Sequence, residues 1–242
     1  MGDSIESFQP DACPLLAIED LSKGFTLHTA DRRVRGCEHI SLSVLPGEFV
    51  GVTGRSGSGK STILKCIYRT NLPESGHIVY DSEAFGPVDL ATLDERRVIY
   101  LRNYEIGYVS QFLDAVPRTT AREIVRASAA EAFADEDAIE EETTRMLEHF
   151  DFPKPLWDLY PNTFSGGEKL RLNIARAMVR RPRLLLLDEP TASLDNASKV
   201  RVRDLIEQLK AGGTTMLGIF HDLEFMEGVC DREYNMQIGG FV

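Results

Sequence analysis

Two segments of this chain carry residue types at spacings suited to phosphate chemistry. Gly54-Arg55-Ser56-Gly57-Ser58-Gly59-Lys60-Ser61, with Thr62 next, follows the pattern GxxxxGK[ST]. Its glycines let the backbone wrap closely, so that successive N–H groups point at one anion. Lys60 supplies a point charge for the β- and γ-phosphates of a nucleoside triphosphate, and Ser61 a hydroxyl for Mg²⁺. Downstream, the apolar run Leu184–Leu187 ends in Asp188 and Glu189. Asp188 is suited to share the metal shell with Ser61, and Glu189 to take a proton from an attacking water. Together the segments imply nucleoside triphosphate hydrolysis.

Such residues need a scaffold that holds them at one edge. Phe49–Val52 reads as a buried strand leading into the glycine loop. Ile63–Ile67 reads as the helix after it, starting near Gly59 with its positive end toward the anion. Leu184–Leu187 is apolar throughout, as in a sheet covered on both faces. Ile106–Ser110 is another buried strand and ends at Gln111; Thr214–Phe220 ends at His221. The C-terminal ends of parallel strands share one edge, where ligands bind. Gln111 is placed there to orient water or touch the metal, and His221 to donate to a γ-phosphate.

The remaining pattern sets the organisation. Residues 1–14 are polar and acidic and are expected to form a flexible segment. Residues 15–242 are expected to form one domain, with core 15–111 and 165–242 and a helical subdomain at about 112–164. In the core, Leu15–Leu27 reads as a strand with its turn, His39–Val44 as a half-exposed strand, Ile78–Tyr80 as a short strand, Asp81–Asp89 as a surface loop and Leu93–Asn103 as a helix. In the helical part, Ile139, Thr143, Met146, Leu147 and Phe150 share one helical face. Pro153, Pro155 and Pro161 break it. Ser198–Lys210 reads as a helix ended by Gly212-Gly213.

Composition excludes several classes. With 242 residues, 43% of them apolar, the chain can bury a full core. A formal net charge of −11 argues against a broad nucleic-acid surface. The basic run Arg176–Arg183 is read as a solvated or partner-facing surface. No stretch reaches the roughly 18 apolar residues of a membrane span. The N-terminus has no secretion pattern, and Glu6 stands where an acylation signal wants Ser or Thr. Cys13, Cys37, Cys66 and Cys230 lack metal-type spacing, which suits reduced thiols in a cytoplasmic protein.

One further segment sets the class. Phe164-Ser165-Gly166-Gly167-Glu168 precedes a helix upstream of Asp188. With the glycine loop, Gln111, Asp188-Glu189, Ser193-Leu194-Asp195 and His221 in the same order, the chain resembles the ATP-binding-cassette (ABC) family over nearly its whole length. The resemblance implies an α/β fold: a P-loop, RecA-like core with a mainly parallel sheet, an antiparallel β part and an inserted α-helical subdomain. It implies ATP and Mg²⁺ as cofactors. It also implies a head-to-tail dimer, with itself or with a related ABC subunit, in which Ser165, Gly166, Gly167 and Glu168 of one copy close over ATP held by the other. In that arrangement Asp195 lines the seam, and Phe25 takes the place of the aromatic under adenine.

Within the family, Tyr108–Leu113 with Val116-Pro117-Arg118, Leu156–Leu159, Phe164 and Gly218–Asp222 are similar to PhnL-type subunits of phosphonate carbon–phosphorus (C–P) lyase systems. Glu168-Lys169-Leu170 departs from the Glu-Gln-Gln expected there, and Ala177-Met178 also departs. This likeness implies an ATPase working beside a C–P lyase core complex with a PhnK-like subunit. It extends to that assembly's ribose 1-methylphosphonate 5-triphosphate synthase activity. The chain has no CxxxCxxC cluster, so bond cleavage is left to other subunits. Residues Phe112–Asn162 are the expected partner surface, and no C-terminal regulatory domain is expected after His221. A second reading is the nucleotide-binding half of a lipoprotein- or macrolide-type exporter, partnered by a membrane permease. A third, disfavoured by the acidity, is a stand-alone switch on ribosomes or DNA.

Overall fold

Apolar runs buried along their whole length form the centre of the molecule. The computed structural model describes residues 13–27, 32–110, 118–192, 194–220 and 222–242. Its elements are β1 (Leu16–Leu27), β2 (Arg32–Val44), β3 (Phe49–Thr53), α1 (Lys60–Ile67), β4 (Ser75–Ser82), β5 (Gly86–Asp89), α2 (Glu95–Tyr104), β6 (Ile106–Val109), α3 (Ala121–Ala132), α4 (Glu136–His149), α5 (Lys154–Trp157), α6 (Gly166–Met178), β7 (Leu184–Asp188), α7 (Asn196–Ala211), β8 (Thr215–Ile219), α8 (Leu223–Met226), β9 (Arg232–Asn235) and β10 (Gly240–Phe241).

Six strands form one sheet in the order β10-β9-β3-β8-β7-β6. It is parallel from β9 to β6, and only β10 runs against its neighbour. Because side chains alternate across a strand, each central strand feeds two cores. On β7, Leu185 and Leu187 join the layer containing α3, α4, α6 and α7, while Leu184 and Leu186 join the layer of α1 and the N-terminal strands. The second sheet, β2-β1-β4-β5, is antiparallel. Ile40, Leu42 and Val44 are buried from β2, alternating with exposed neighbours. The face Ile139, Thr143, Met146, Leu147 and Phe150 is buried from α4, so this helical part shares the first core.

Some expectations change. Asp81–Asp89 is not a loop: β5 pairs with β4 from Val79↔Asp89 to Ser82↔Gly86. Gly86, at φ 69°, closes the turn. Pro87 is tolerated because β5 is an edge strand. The C-terminal α8, β9 and β10 carry too few residues each to give a periodic signal. In the run Arg176–Arg183, Arg181 is exposed and Arg180 and Arg183 are half-buried, and all three have partners on other elements. Arg180 donates to the carbonyls of Arg102 and Asn103 and pairs with Glu131 of α3. Arg181 pairs with Glu142 of α4 at 2.9 Å, and Arg183 donates to the Asp81 carbonyl. These arginines tie the sheet edge to the helices. Among the described residues, no helix is long and apolar enough to cross a membrane. All four cysteines are free thiols, and burial pushes Cys37 up to about 11 and Cys66 up to about 12.

Glu105, at the entrance to β6, is 5% exposed. Its carboxylate accepts from Tyr80 Oη (3.0 Å), Ser82 Oγ (2.8 Å), Glu83 N (3.1 Å) and Ala84 N (3.2 Å). It thus fastens the β4–β5 turn to the parallel sheet. Glu105→Ala leaves buried donors without an acceptor, each worth about 1–3 kcal/mol. A loss of roughly 2–3 kcal/mol in urea unfolding is expected, and a loss below about 0.5 kcal/mol would show the cluster to be dispensable.

Candidate nucleotide and metal site

The glycine loop begins where β3 ends and folds back on itself, with Ser58 N donating to Arg55 O at 3.1 Å. Gly59 caps α1 at φ 92°. A Cβ there would lie 1.8 Å from the carbonyl of Gly36, so only glycine fits against β2. Thr62 N and Ile63 N donate to Gly59 O, starting the helix at once. Arg55, Ser56 and Gly57 are exposed at the tip. Lys60 is buried, and its Nζ donates to Gly54 O (2.8 Å) and Arg55 O (3.0 Å). Burial lowers the Lys60 pKa, while the charges of Glu189 and Asp188 pull it back up.

The end of β7 meets this loop. Asp188 is buried and accepts from Ser61 Oγ on Oδ1 at 2.8 Å, and from Tyr108 Oη on Oδ2 at 2.8 Å. Burial, with Asp188 alongside, raises the Tyr108 pKa, so its phenol stays protonated and donates. Glu189 follows at φ 55°, in the left-handed region that non-glycine residues rarely adopt, with its N–H bonded to Ile219 O of β8. This half-buried carboxylate lies near enough for its charge to act on the Lys60 ammonium.

These groups fit Mg²⁺ and a nucleotide. Among the described residues, no three His, Cys, Asp or Glu side chains cluster to hold a metal alone. One carboxylate and one hydroxyl are the sparse protein share that Mg²⁺ takes when phosphates and water complete its shell. Ser58 Oγ is buried without a hydrogen-bond partner inside the same loop, a polar atom suited to a ligand oxygen.

Phe25 stands on β1, partly exposed, with Lys23 Nζ 5.4 Å from its ring centre. A Cβ on Gly36 would meet Phe25 at 2.8 Å and Thr62 at 3.1 Å, so the ring lies beside the first turn of α1. Ser165 caps α6 in a reciprocal box: its Oγ accepts from Glu168 N, and Glu168 Oε2 accepts from Ser165 N at 2.7 Å. These bonds hold the Glu168 carboxyl below its usual range. Ser165 and Gly166 are exposed and Gly167 half-buried. Among the described residues, no hydrogen bond joins this tip to the Gly54–Thr62 loop. Asp195 caps α7 by accepting from Ser198 N at 2.7 Å. Gln111, Ser193 and His221 lie outside the described residues, as does the whole 111–117 connection. Gly36 and Tyr108 had no motif to mark them; an aromatic with a hydroxyl three residues before Gln111 is the one available hint for Tyr108.

The ABC transporter family pattern matches residues 37–192. A Brucella ovis protein named as a peptide import ATP-binding protein is 32% identical over 230 residues, covering 93% of this chain and 70% of that protein. The macrolide export ATP-binding/permease protein MacB of Brucella abortus is 33% identical over 214 residues, covering 88% of this chain but 32% of MacB. Among solved structures, the ATP-binding cassette MJ0796, a dimer in a post-hydrolysis state bound to ADP and Pi, superposes with a TM-score of 0.81. That cassette is 25% identical, with 91% of this chain and 93% of the other covered.

Proposed function

The chain belongs to the ABC transporter family of ATP-binding cassettes, and on that premise we propose that it is the ATP-hydrolysing subunit of a phosphonate-degrading C–P lyase system. As a cassette of this family it binds ATP with Mg²⁺. The observation that carries the chemistry is the meeting of Ser61 and Asp188 at 2.8 Å beside the buried Lys60.

In this reading the N–H groups of Gly54 to Ser61 cradle the phosphates, Lys60 turns its ammonium onto them, and Thr62 and Phe25 border the nucleoside. Ser61 and Asp188 hold Mg²⁺, which when bound draws negative charge from the phosphate oxygens. Glu189 orients the attacking water and takes its proton. Gln111 and His221, which follow β6 and β8 in the sequence, are assigned to complete the set. The exposed Ser165–Gly167 tip and Asp195 serve a second copy or a related subunit, whose nucleotide they cover. The dimeric state of MJ0796 supports that arrangement. Closure on ATP and reopening after hydrolysis then move the helical part, residues 112–164, against a partner.

The phosphonate assignment is supported by the residue strings around Tyr108–Arg118, Leu156–Leu159 and Gly218–Asp222. The chain's own reaction in it is ATP hydrolysis, with the nucleotide-to-phosphonate chemistry left to the C–P lyase core. A second reading, the nucleotide-binding subunit of an exporter, is favoured by the 33% identity to MacB. Purification of the tagged chain from its native cells separates them. Phosphonate-cleaving proteins and a PhnK-like subunit are the expected companions; a membrane permease in their place transfers the assignment to the second reading.

A further inference from the structure

The carboxylate of Asp188 has two oxygens, and both are held. Ser61 of the phosphate loop donates to one. The other accepts from Tyr108, which belongs to neither motif and lies on β6, the strand beside β7. Tyr108 is itself fixed. Its ring stacks on Tyr68, just past the end of α1, with centroids 4.9 Å apart and planes 21° from parallel. Arg102 of α2 lies over the Tyr68 ring at 4.7 Å from its centroid and donates from Nε to the Tyr68 carbonyl at 2.8 Å. Arg102 therefore holds Tyr68, Tyr68 backs the Tyr108 ring, and the phenol oxygen is left directed at Asp188.

We propose that Tyr108 is a positioning residue for the metal carboxylate, locking the plane of Asp188 so that its Oδ1 stays directed at Ser61 and the metal position between them. The proposal rests on the Mg²⁺–nucleotide site described above. Its physics is that of an outer partner to a metal ligand. A carboxylate free to rotate presents its oxygens over a range of directions, whereas one tethered by a phenol on a stacked ring offers one direction. Mg²⁺ demands near-ideal octahedral geometry, so it is sensitive to that difference. The tether leaves Oδ1 available, because the phenol uses only Oδ2. A serine hydroxyl can offer a lone pair to an ion while still donating its proton, so Ser61 would keep its hold on Oδ1 while Tyr108 holds Oδ2. Tyr108 and Asp188 stand on neighbouring strands, because β6 pairs with β7 from Ile106↔Leu184 to Val109↔Leu187, so the phenol reaches the carboxylate from a rigid neighbour.

Tyr108→Phe removes the hydroxyl and keeps the ring. Mn²⁺ binding to the ADP complex, read by electron paramagnetic resonance as loss of the free-ion signal, is expected to weaken about tenfold, the lower end for outer-sphere partners of metal ligands. Affinity for ADP in EDTA is expected within about twofold of wild type, since the phosphate loop is untouched. Half-saturating Mg²⁺ for hydrolysis should rise in parallel, with kcat recovering at saturating Mg²⁺. Tyr68→Leu, which leaves the phenol but removes the ring that aims it, should shift Mn²⁺ binding in the same direction and by less. Unchanged Mn²⁺ affinity in Tyr108→Phe, with wild type binding normally, overturns the positioning role alone. A wild type that binds no Mn²⁺ with ADP overturns the metal site itself.

Discussion

Glu189→Gln is expected to retain ATP and lose roughly 10²- to 10⁴-fold in turnover, the range for removing a positioned general base. The two side chains have nearly the same shape, so the strained turn at φ 55° and the Glu189 N–H bond to Ile219 O persist. What is lost is the carboxylate proposed to take the water's proton. Losing a negative charge near Lys60 and the phosphates should, if anything, tighten nucleotide binding. Single-turnover hydrolysis and equilibrium ATP binding, measured on the same preparation, separate these effects. Near-normal turnover would remove Glu189 as the base and leave the proton to another group at the strand ends.

Lys60→Ala is expected to weaken ATP binding by about 10- to 150-fold, corresponding to the roughly 1.5–3 kcal/mol of hydrogen bonds to a charged group. Lys60 has two roles here. Its ammonium bonds the carbonyls of Gly54 and Arg55, holding the loop closed, and with three donors it can turn to a phosphate without leaving the site. Alanine removes both the charge and the internal tie. It also leaves Asp188 and Glu189 without the cation that offsets them, opposing the arrival of a polyanion. Isothermal titration with ATP and Mg²⁺ reads the effect, and an affinity equal to wild type would count against the loop as the phosphate seat. Lys60→Arg is not a neutral control, because a planar guanidinium does not fit where a buried ammonium reaches two adjacent carbonyls.

Much of the architecture was legible because it is encoded in contiguous residues. An all-apolar run of four such as Leu184–Leu187, ended by Asp188, suits a strand covered on both faces, and it is buried throughout. Glycine loop, lysine and hydroxyl follow one another without gaps, so their chemistry needs no knowledge of distant partners. Ser165 and Glu168 stand three residues apart, and the capping box they form is a local consequence of that spacing. The Asp81–Asp89 hairpin was missed because its short second strand contains Pro87 and gains its pairing only from β4.

By itself, then, the sequence determined the phosphate loop, the acidic pair and the buried strands that lead to them, since each depends on neighbours along the chain. Tertiary structure alone decided that Tyr108 holds the second oxygen of Asp188 across 80 residues and Ser61 the first across 127. It also decided that the missing Cβ of Gly59 leaves room for the Gly36 carbonyl, and that Arg180, Arg181 and Arg183 of the basic run find carbonyls and acids on other elements. The physical reason is the same in each case. Hydrogen bonds and steric contacts act over a few ångströms, and which residues come that close is set by how the strands are ordered in the sheets.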